Sequence, residues 1–245
     1  YYIKKIVSVK NYEGLFSYNQ IQLLLWASEY YLVSLPKILN SLFSKNIFNL
    51  KKLEEKNKIS QIANNNNNIN LLIKYNKDLK KHITDNVEIS KKTRAQHLIL
   101  FPNSYQCQEL YNKLSKKIKE ITYIYDSKTS PKDKLEIWRR VINNKNIVII
   151  GIKSAVFLPF TKLNKIIVTN ENDYLYKETD RVIRYNARDC AIMLSKINKC
   201  EIDLISDSPS IESMYNCEKG KFIFHDKKKK LSLKTDLTKI SIVNK

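Results

Sequence analysis

Two short runs, Ile147-Val148-Ile149-Ile150 and Ile166-Ile167-Val168, contain no polar position and are β-branched throughout. Unbroken runs of this kind suit strands covered on both faces of a parallel sheet. Around them the pattern alternates between strand-like runs and stretches with helical spacing. His97 to Phe101 reads as a strand, Cys107 to Lys119 as a helix with Leu110, Leu114 and Ile118 on one face, and Ile121 to Tyr125 as the next strand. Ser130 is placed to cap a helix with Pro131 at its first position, running to about Asn143. Arg184 to Ile197 reads as a helix and Glu201 to Ile205 as the strand after it. This order predicts an α/β fold with a doubly wound parallel sheet.

Upstream the pattern is mostly helical. After a strand-like Tyr2 to Val9, Ser17 is an N-cap candidate, and Gln20 three residues later would complete a capping box. The helix from Tyr18 to Leu32 places Ile21, Leu24, Leu25 and Ser28 on one side, with Leu23, Trp26 and Tyr30 widening the apolar surface. A second helix, Lys37 to Phe43, follows Pro36. Lys, Asn and Glu then dominate, with a pure Asn tract at Asn64 to Asn68. Such a segment buries too little apolar surface to offset its ordering entropy, so a linker is expected, with a short helix over Leu50 to Ile62. Ile73 to Ile89 reads as a helix. The expected divisions are 1–50, a linker at 51–69, an α/β lobe at 70–224 and a Lys-rich tail at 225–245.

Charge changes this picture. Lys+Arg number 44 against 24 Asp+Glu, a formal net charge of +20. That surplus predicts attraction to polyanions, nucleic acid first, and a Lys- and Asn-heavy coding bias is the alternative source. The four cysteines are widely spaced without a C-x-x-C pair, and the three histidines do not cluster with them, so no zinc site and no other metal or cofactor site is expected. Reduced thiols fit a cytoplasmic protein. No apolar run approaches the roughly 20 residues that span a membrane, and no signal peptide is visible. The chain opens at Tyr1 rather than Met, which is compatible with a fragment.

The candidate chemistry lies where the two apolar runs stop. The first ends in Gly151 with Lys153-Ser154-Ala155 beyond it, the second in Thr169-Asn170-Glu171-Asn172-Asp173. Ligands of open α/β sheets sit beyond the carboxyl ends of the strands, so both loops are expected to face one crevice. Glu171 is the candidate general base or metal ligand. Lys153, Arg184 and Arg188 are candidate phosphate contacts, and Tyr174, Tyr176 and Tyr185 beside Lys177, Arg181 and Arg184 suit base stacking with backbone neutralisation. Packing is the alternative for each tyrosine.

Several stretches resemble one family in order. Ile149 to Phe160, IIGIKSAVFLPF, is similar to the V-I-G-x-R-S-A-L-F-A-P-F motif of the primosomal replication-restart helicases, the PriA family. Ile166 to Lys177 resembles their I-I-V-D-E-E-H-D-x-x-Y-K, Arg184 to Asp189 their R-Y-H-A-R-D, and Ser206 to Ser213 their S-A-T-P-S-x-E-S. Glu136 to Arg140 resembles the family's E-W-R-R, and Trp26 to Leu39 the end of its 3′-DNA-end-binding domain. The resemblance covers most of residues 20 to 60 and 97 to 222. It implies a RecA-like helicase lobe 1 preceded by a small, mostly helical remnant of an N-terminal DNA-binding domain. It further implies single-stranded or forked DNA and replication-restart proteins as partners, with no membrane association.

The departures shape the functional expectation. The family's G-x-T-G-S-G-K-T loop, whose backbone N–H groups cradle phosphates, falls by spacing on Ile73 to Lys80, IKYNKDLK, and the whole chain has three glycines. The Mg²⁺-holding D-E-E-H reads Thr169-Asn170-Glu171-Asn172. The family's winged-helix domain, zinc region and second lobe have no counterpart in these 245 residues. The expectation is a truncated and degenerate relative that binds DNA without ATPase activity, Glu171 being a relic. The alternative is a fragment of an ATP-dependent 3′–5′ helicase that needs missing lobes, and with it ATP, Mg²⁺ and structural zinc.

Overall fold

The computed structural model describes residues 14–44, 47, 68–73, 76–93, 95–143 and 146–225. The expected strand at residues 2–9, the short helix at 50–62, nearly all of the linker and the tail beyond His225 lie outside the described residues. The elements are α1 (Tyr18–Tyr30), α2 (Leu35–Leu42), β1 (Ile69–Ile73), α3 (Asn76–Thr93), β2 (Gln96–Leu100), α4 (Ser104–Lys113), α5 (Lys116–Lys119) and β3 (Thr122–Tyr125). There follow α6 (Pro131–Ile142), β4 (Ile147–Gly151), β5 (Leu163–Thr169), α7 (Ala187–Asn198), β6 (Glu201–Ser206), α8 (Ile211–Glu218) and β7 (Ile223–His225). Single 3₁₀ turns at Lys153–Phe157 and Tyr174–Tyr176 follow β4 and β5.

Seven strands pair in the order β3-β4-β2-β5-β6-β1-β7, every pair parallel. The two apolar runs are buried on both faces because successive side chains of a strand point opposite ways. Ile147 and Ile149 join Leu98, Leu100, Ile166 and Val168 beneath α1, α2, α6 and α7. Val148 and Ile150 join Ile99, Ile167 and Ile205 beneath α3, α4 and α5. The doubly wound α/β sheet read from the alternation is therefore the fold.

The helical segment upstream shares the lobe's core. Leu15, Leu23, Leu24, Ala27, Ile38 and Phe43 belong to the same buried cluster as the sheet. Trp138 of α6 is clamped there, edge-on to Phe16 at 5.8 Å and Phe43 at 5.4 Å, its indole N–H donating to the Leu15 carbonyl at 3.0 Å. The inward side of α1 is Gln20, Leu23, Leu24 and Ala27, whereas Ile21 and Leu25 of the expected face are exposed. Ser17 caps α1 by accepting from Gln20 N at 3.2 Å. The Gln20 side chain does not return the bond but donates to the Phe157 carbonyl at 2.5 Å.

Other boundaries moved for local reasons. Ile69–Ile73, read as linker and helix start, is strand β1, because five residues, four of them apolar, are too few for periodicity to tell strand from helix. The helix expected from Cys107 to Lys119 breaks at Leu114, whose ψ of 145° is extended. α8 and β7 were not expected at all. α1 and α7 each end in a left-handed residue, Leu32 at φ 54° and Lys199 at φ 52°. The closing bonds run from Val33 N to Ser28 O and from Cys200 N to Ser195 O, the pattern glycine usually completes.

A buried ionic cluster underlies the α3 face. Asp203 of β6 meets Lys165 of β5 at 2.7 Å, His82 of α3 at 2.7 Å and the Asn70 amide of β1 at 2.9 Å. Burial alone would raise its carboxyl, but His82, Lys165 and Asn70 outweigh that and hold it at about 2. His97 lies directly across from Lys165 in the sheet, 3% exposed, its Nε2 without a partner. Burial, reinforced by the Lys165 charge, lowers its imidazole to about 4.

Candidate nucleic-acid interface at the strand ends

The loops after β4 and β5 meet across the end of β2, which lies between the two strands. Lys153, just past Gly151, places its Nζ 3.3 Å from Glu178 and 3.5 Å from the Lys177 carbonyl. Gly151 is indispensable to this approach, since a Cβ there would lie 2.5 Å from Ala155 Cβ and 2.8 Å from the Tyr125 carbonyl.

Beyond β5 the chain turns through Asn170 at φ 46°, a value that asparagine tolerates. Thr169, at the first acidic position of the resembled motif, donates its hydroxyl to the Leu100 carbonyl at 3.0 Å. Glu171 is 2% exposed. Its Oε1 accepts from Ser210 N at 2.6 Å, so the carboxylate sits at the N-terminus of α8, where the helix dipole favours an anion. Its Oε2 lies 3.0 Å from the Ser210 and Ser213 hydroxyls and 3.1 Å from Arg188 Nη1. Arg188 also reaches Asp189 at 3.0 Å and Ser210 Oγ at 2.9 Å. This expected base and this expected phosphate contact are thus each other's partners.

The tyrosines divide. Tyr176 is 1% exposed, with its hydroxyl at 2.6 Å from the Thr169 carbonyl and 3.0 Å from that of Leu100. Tyr185 is equally buried and packs edge-on against Phe157 at 5.0 Å. Burial raises both phenols far above their ordinary value, so both stay protonated, and neither ring has a face open to a base. Tyr174 is 77% exposed, and Lys177, three residues on, and Arg184, ten residues on, are exposed too.

A hairpin-like excursion carries these cations. Lys177 bridges Asn186 in antiparallel fashion, and Glu178 N donates to the Tyr185 carbonyl at 2.7 Å. Ile183, fully buried, pins the excursion to the core. Arg181, which was read only as a neighbour of the tyrosines, lies 3.6 Å from Glu178 and donates to the Ser41 carbonyl at the end of α2. The Glu-x-x-Arg spacing was its only sequence signal. The exposed set is therefore Tyr174, Lys177 and Arg184, with Lys153 partly covered.

At the β1 end the strand stops at Ile73 and α3 begins at Asn76. A glycine-rich phosphate loop of eight residues has no place in that junction. A groove of about 820 Å³ runs along the β3 edge and past the loops that follow β2 and β3. Its acids Glu120, Asp126, Asp133 and Glu136 outnumber Lys119 and Lys128, the wrong balance for a polyanion. Among the described residues no group of three His, Cys, Asp or Glu is arranged to hold a metal ion, and no helix is long and apolar enough to cross a membrane.

No protein-family model matches the chain. Curated relatives do. The replication restart protein PriA of Rickettsia prowazekii (strain Madrid E) is 31% identical over 222 residues, 82% of this chain and 34% of that protein. PriA of Buchnera aphidicola subsp. Schizaphis graminum is 34% identical over 187 residues, 76% and 24% of the two chains. PriA of Rickettsia typhi is 29% identical over 239 residues, 89% and 37%. The chain thus spans about a third of the length of the curated relatives it matches. Among solved structures, T4 UvsW overlaps 64% of this chain and 40% of its own at a TM-score of 0.38 and 11% identity.

Proposed function

The chain belongs to the PriA family of replication restart proteins, and we propose that it is a cytoplasmic DNA-binding module of replication restart that works without hydrolysing ATP. The observation that carries the reading is the state of the two nucleotide half-sites. The junction after β1 runs from Ile73 to Asn76 without a glycine, and Glu171 is spent on α8 and Arg188. What stays open in the loop after β5 is Tyr174, Lys177 and Arg184, one aromatic ring and two cations, all exposed. A base stacked on a ring needs no nucleotide, and phosphate neutralisation needs only fixed cations. Single-stranded DNA is the substrate class, bound with little sequence preference, and forked DNA and replication-restart proteins are the wider setting.

Titration with Mg·ATP is expected to give no saturable heat, and micromolar Mg²⁺-dependent binding would sink the first half of the proposal. Affinity for single-stranded DNA is expected to fall linearly as log salt rises, with a slope of roughly −0.7 per neutralised phosphate. Lys177→Ala should shallow that slope by about one such increment, and a flat salt response defeats the second half. A second reading, in which this lobe acts only together with further motor lobes, draws support from the one-third span of the relatives. ATP turnover by this chain after addition of the missing lobes would favour it.

A further inference from the structure

On one side of α1, Trp26 and Tyr31 pack against the core while Tyr30 beside them stands open to solvent. Trp26 and Tyr30, one turn apart, stack with centroids 4.9 Å apart and planes 20° from parallel. Tyr31 stands edge-on to both, at 6.0 Å from Trp26 and 4.9 Å from Tyr30. Tyr30 is 60% exposed, so with one face against Trp26 the opposite face is turned to solvent. The assembly is fastened to the cation-bearing excursion after β5. The Tyr31 hydroxyl accepts from Asn186 N at 3.1 Å and lies 3.9 Å from Cys190 Sγ. Arg181 reaches across to the Ser41 carbonyl, and Arg184 stands exposed two residues before Asn186. Tyr31 therefore ties the ring pair to the excursion that carries Arg184 by a hydrogen bond, and not only by proximity along the chain.

We propose that the Trp26–Tyr30 stack is a second base-stacking platform, which takes single-stranded DNA whose phosphates are met by Arg184. This rests on the DNA-binding reading above and lengthens its path from Tyr174 to α1. A stacked pair is a rigid shelf for a further base, because its rings lose little freedom when the base arrives. The charge fits too: the chain carries a net charge of +20, and Arg184 stands exposed on the excursion that Tyr31 holds. Single-stranded DNA is the occupant because one molecule brings both a base for the open ring face and phosphates for the cation.

The chain has two tryptophans, and Trp138 is 1% exposed, so it serves as an internal control. The full chain labelled with 5-fluorotryptophan is titrated with an oligo-dT strand at low salt and followed by ¹⁹F NMR, with Trp26→Phe assigning the two resonances. The Trp26 resonance is expected to shift with the midpoint seen by anisotropy, while that of Trp138 stays in place. Tyr30→Ala is expected to weaken binding roughly five- to a hundredfold, with the Trp138 resonance unchanged as evidence of an intact fold. Heparin, which has no bases, should leave the Trp26 resonance unmoved, and an equal shift with heparin overturns stacking. DNA binding with an unmoved Trp26 resonance and an unaltered Tyr30→Ala affinity overturns the platform and leaves the Tyr174–Lys177 reading standing. Failure of any DNA to bind overturns both.

Discussion

His97 offers a quantitative test of the buried ionic cluster. It sits 3% exposed across from Lys165, its Nε2 unpartnered. A second positive charge there would be out of reach of water and next to an ammonium group. The folded imidazole titrates near 4, against about 6.5 for the unfolded chain. Between those values the unfolded state binds the extra proton, so stability rises with pH in that window. The contribution is complete above about pH 6.5 and is lost as pH falls toward 4. From pH 7.5 to 5.0 the loss is about 2 kcal/mol, from the ratio of the two titration curves. Urea unfolding of wild type and His97→Leu at both values measures it, since other titrating groups cancel in the comparison. The variant is expected to lose about 2 kcal/mol less than wild type over this interval. Parallel pH profiles would refute the argument that His97 is held neutral by burial and Lys165.

Other substitutions read different parts of the structure. Arg188→Met strands the Glu171 carboxylate, whose side chain is fully buried, and should cost about 3–5 kcal/mol in chemical unfolding while the folded fraction keeps its DNA affinity. Gly151→Ala drives a methyl to 2.5 Å from Ala155 and 2.8 Å from the Tyr125 carbonyl, and about 1–3 kcal/mol should be lost on a thermal melt. Leu32→Gly and Lys199→Gly relieve left-handed residues at φ 54° and 52°, and each should add about 0.5–1 kcal/mol, visible as a higher urea midpoint.

The lobe was legible because burial on both faces leaves unbroken β-branched runs, and caps such as Ser130 before Pro131 announce helix starts. Ser130 does accept from Asp133 N at 3.1 Å. β1 was not legible, since Ile69–Ile73 follows an Asn tract and lacks the length to declare a period. The inward face of α1 was misread because apolar residues surround the helix, and Gln20 went inside for its bond to Phe157 rather than for its polarity. At the site, residue type and neighbourhood located the loop, but a tyrosine's exposure is settled by partners distant in sequence. Tyr176 is held by Leu100 and Tyr185 by Phe157, whereas Tyr174, two residues from Tyr176, faces outward. The tether that Arg181 makes to α2 was not legible, because its partner Ser41 is 140 residues away.

The carboxylate at the head of α8 has a consequence for any attempt to rebuild a motor in this chain. Grafting a glycine-rich loop between Ile73 and Asn76 would restore phosphate contacts, yet Glu171 would remain bound to Ser210, Ser213 and Arg188. Freeing it means giving up the anion that steadies the first turn of α8 and leaving the Arg188 guanidinium without its buried partner. The two halves of such a reconstruction are therefore coupled in opposite senses. The first adds a loop at modest cost, and the second dismantles a joint on which β5, α7 and α8 converge. Any change that frees Glu171 would therefore pass through a less stable lobe, and the bonds around this carboxylate tie β5, α7 and α8 into one joint.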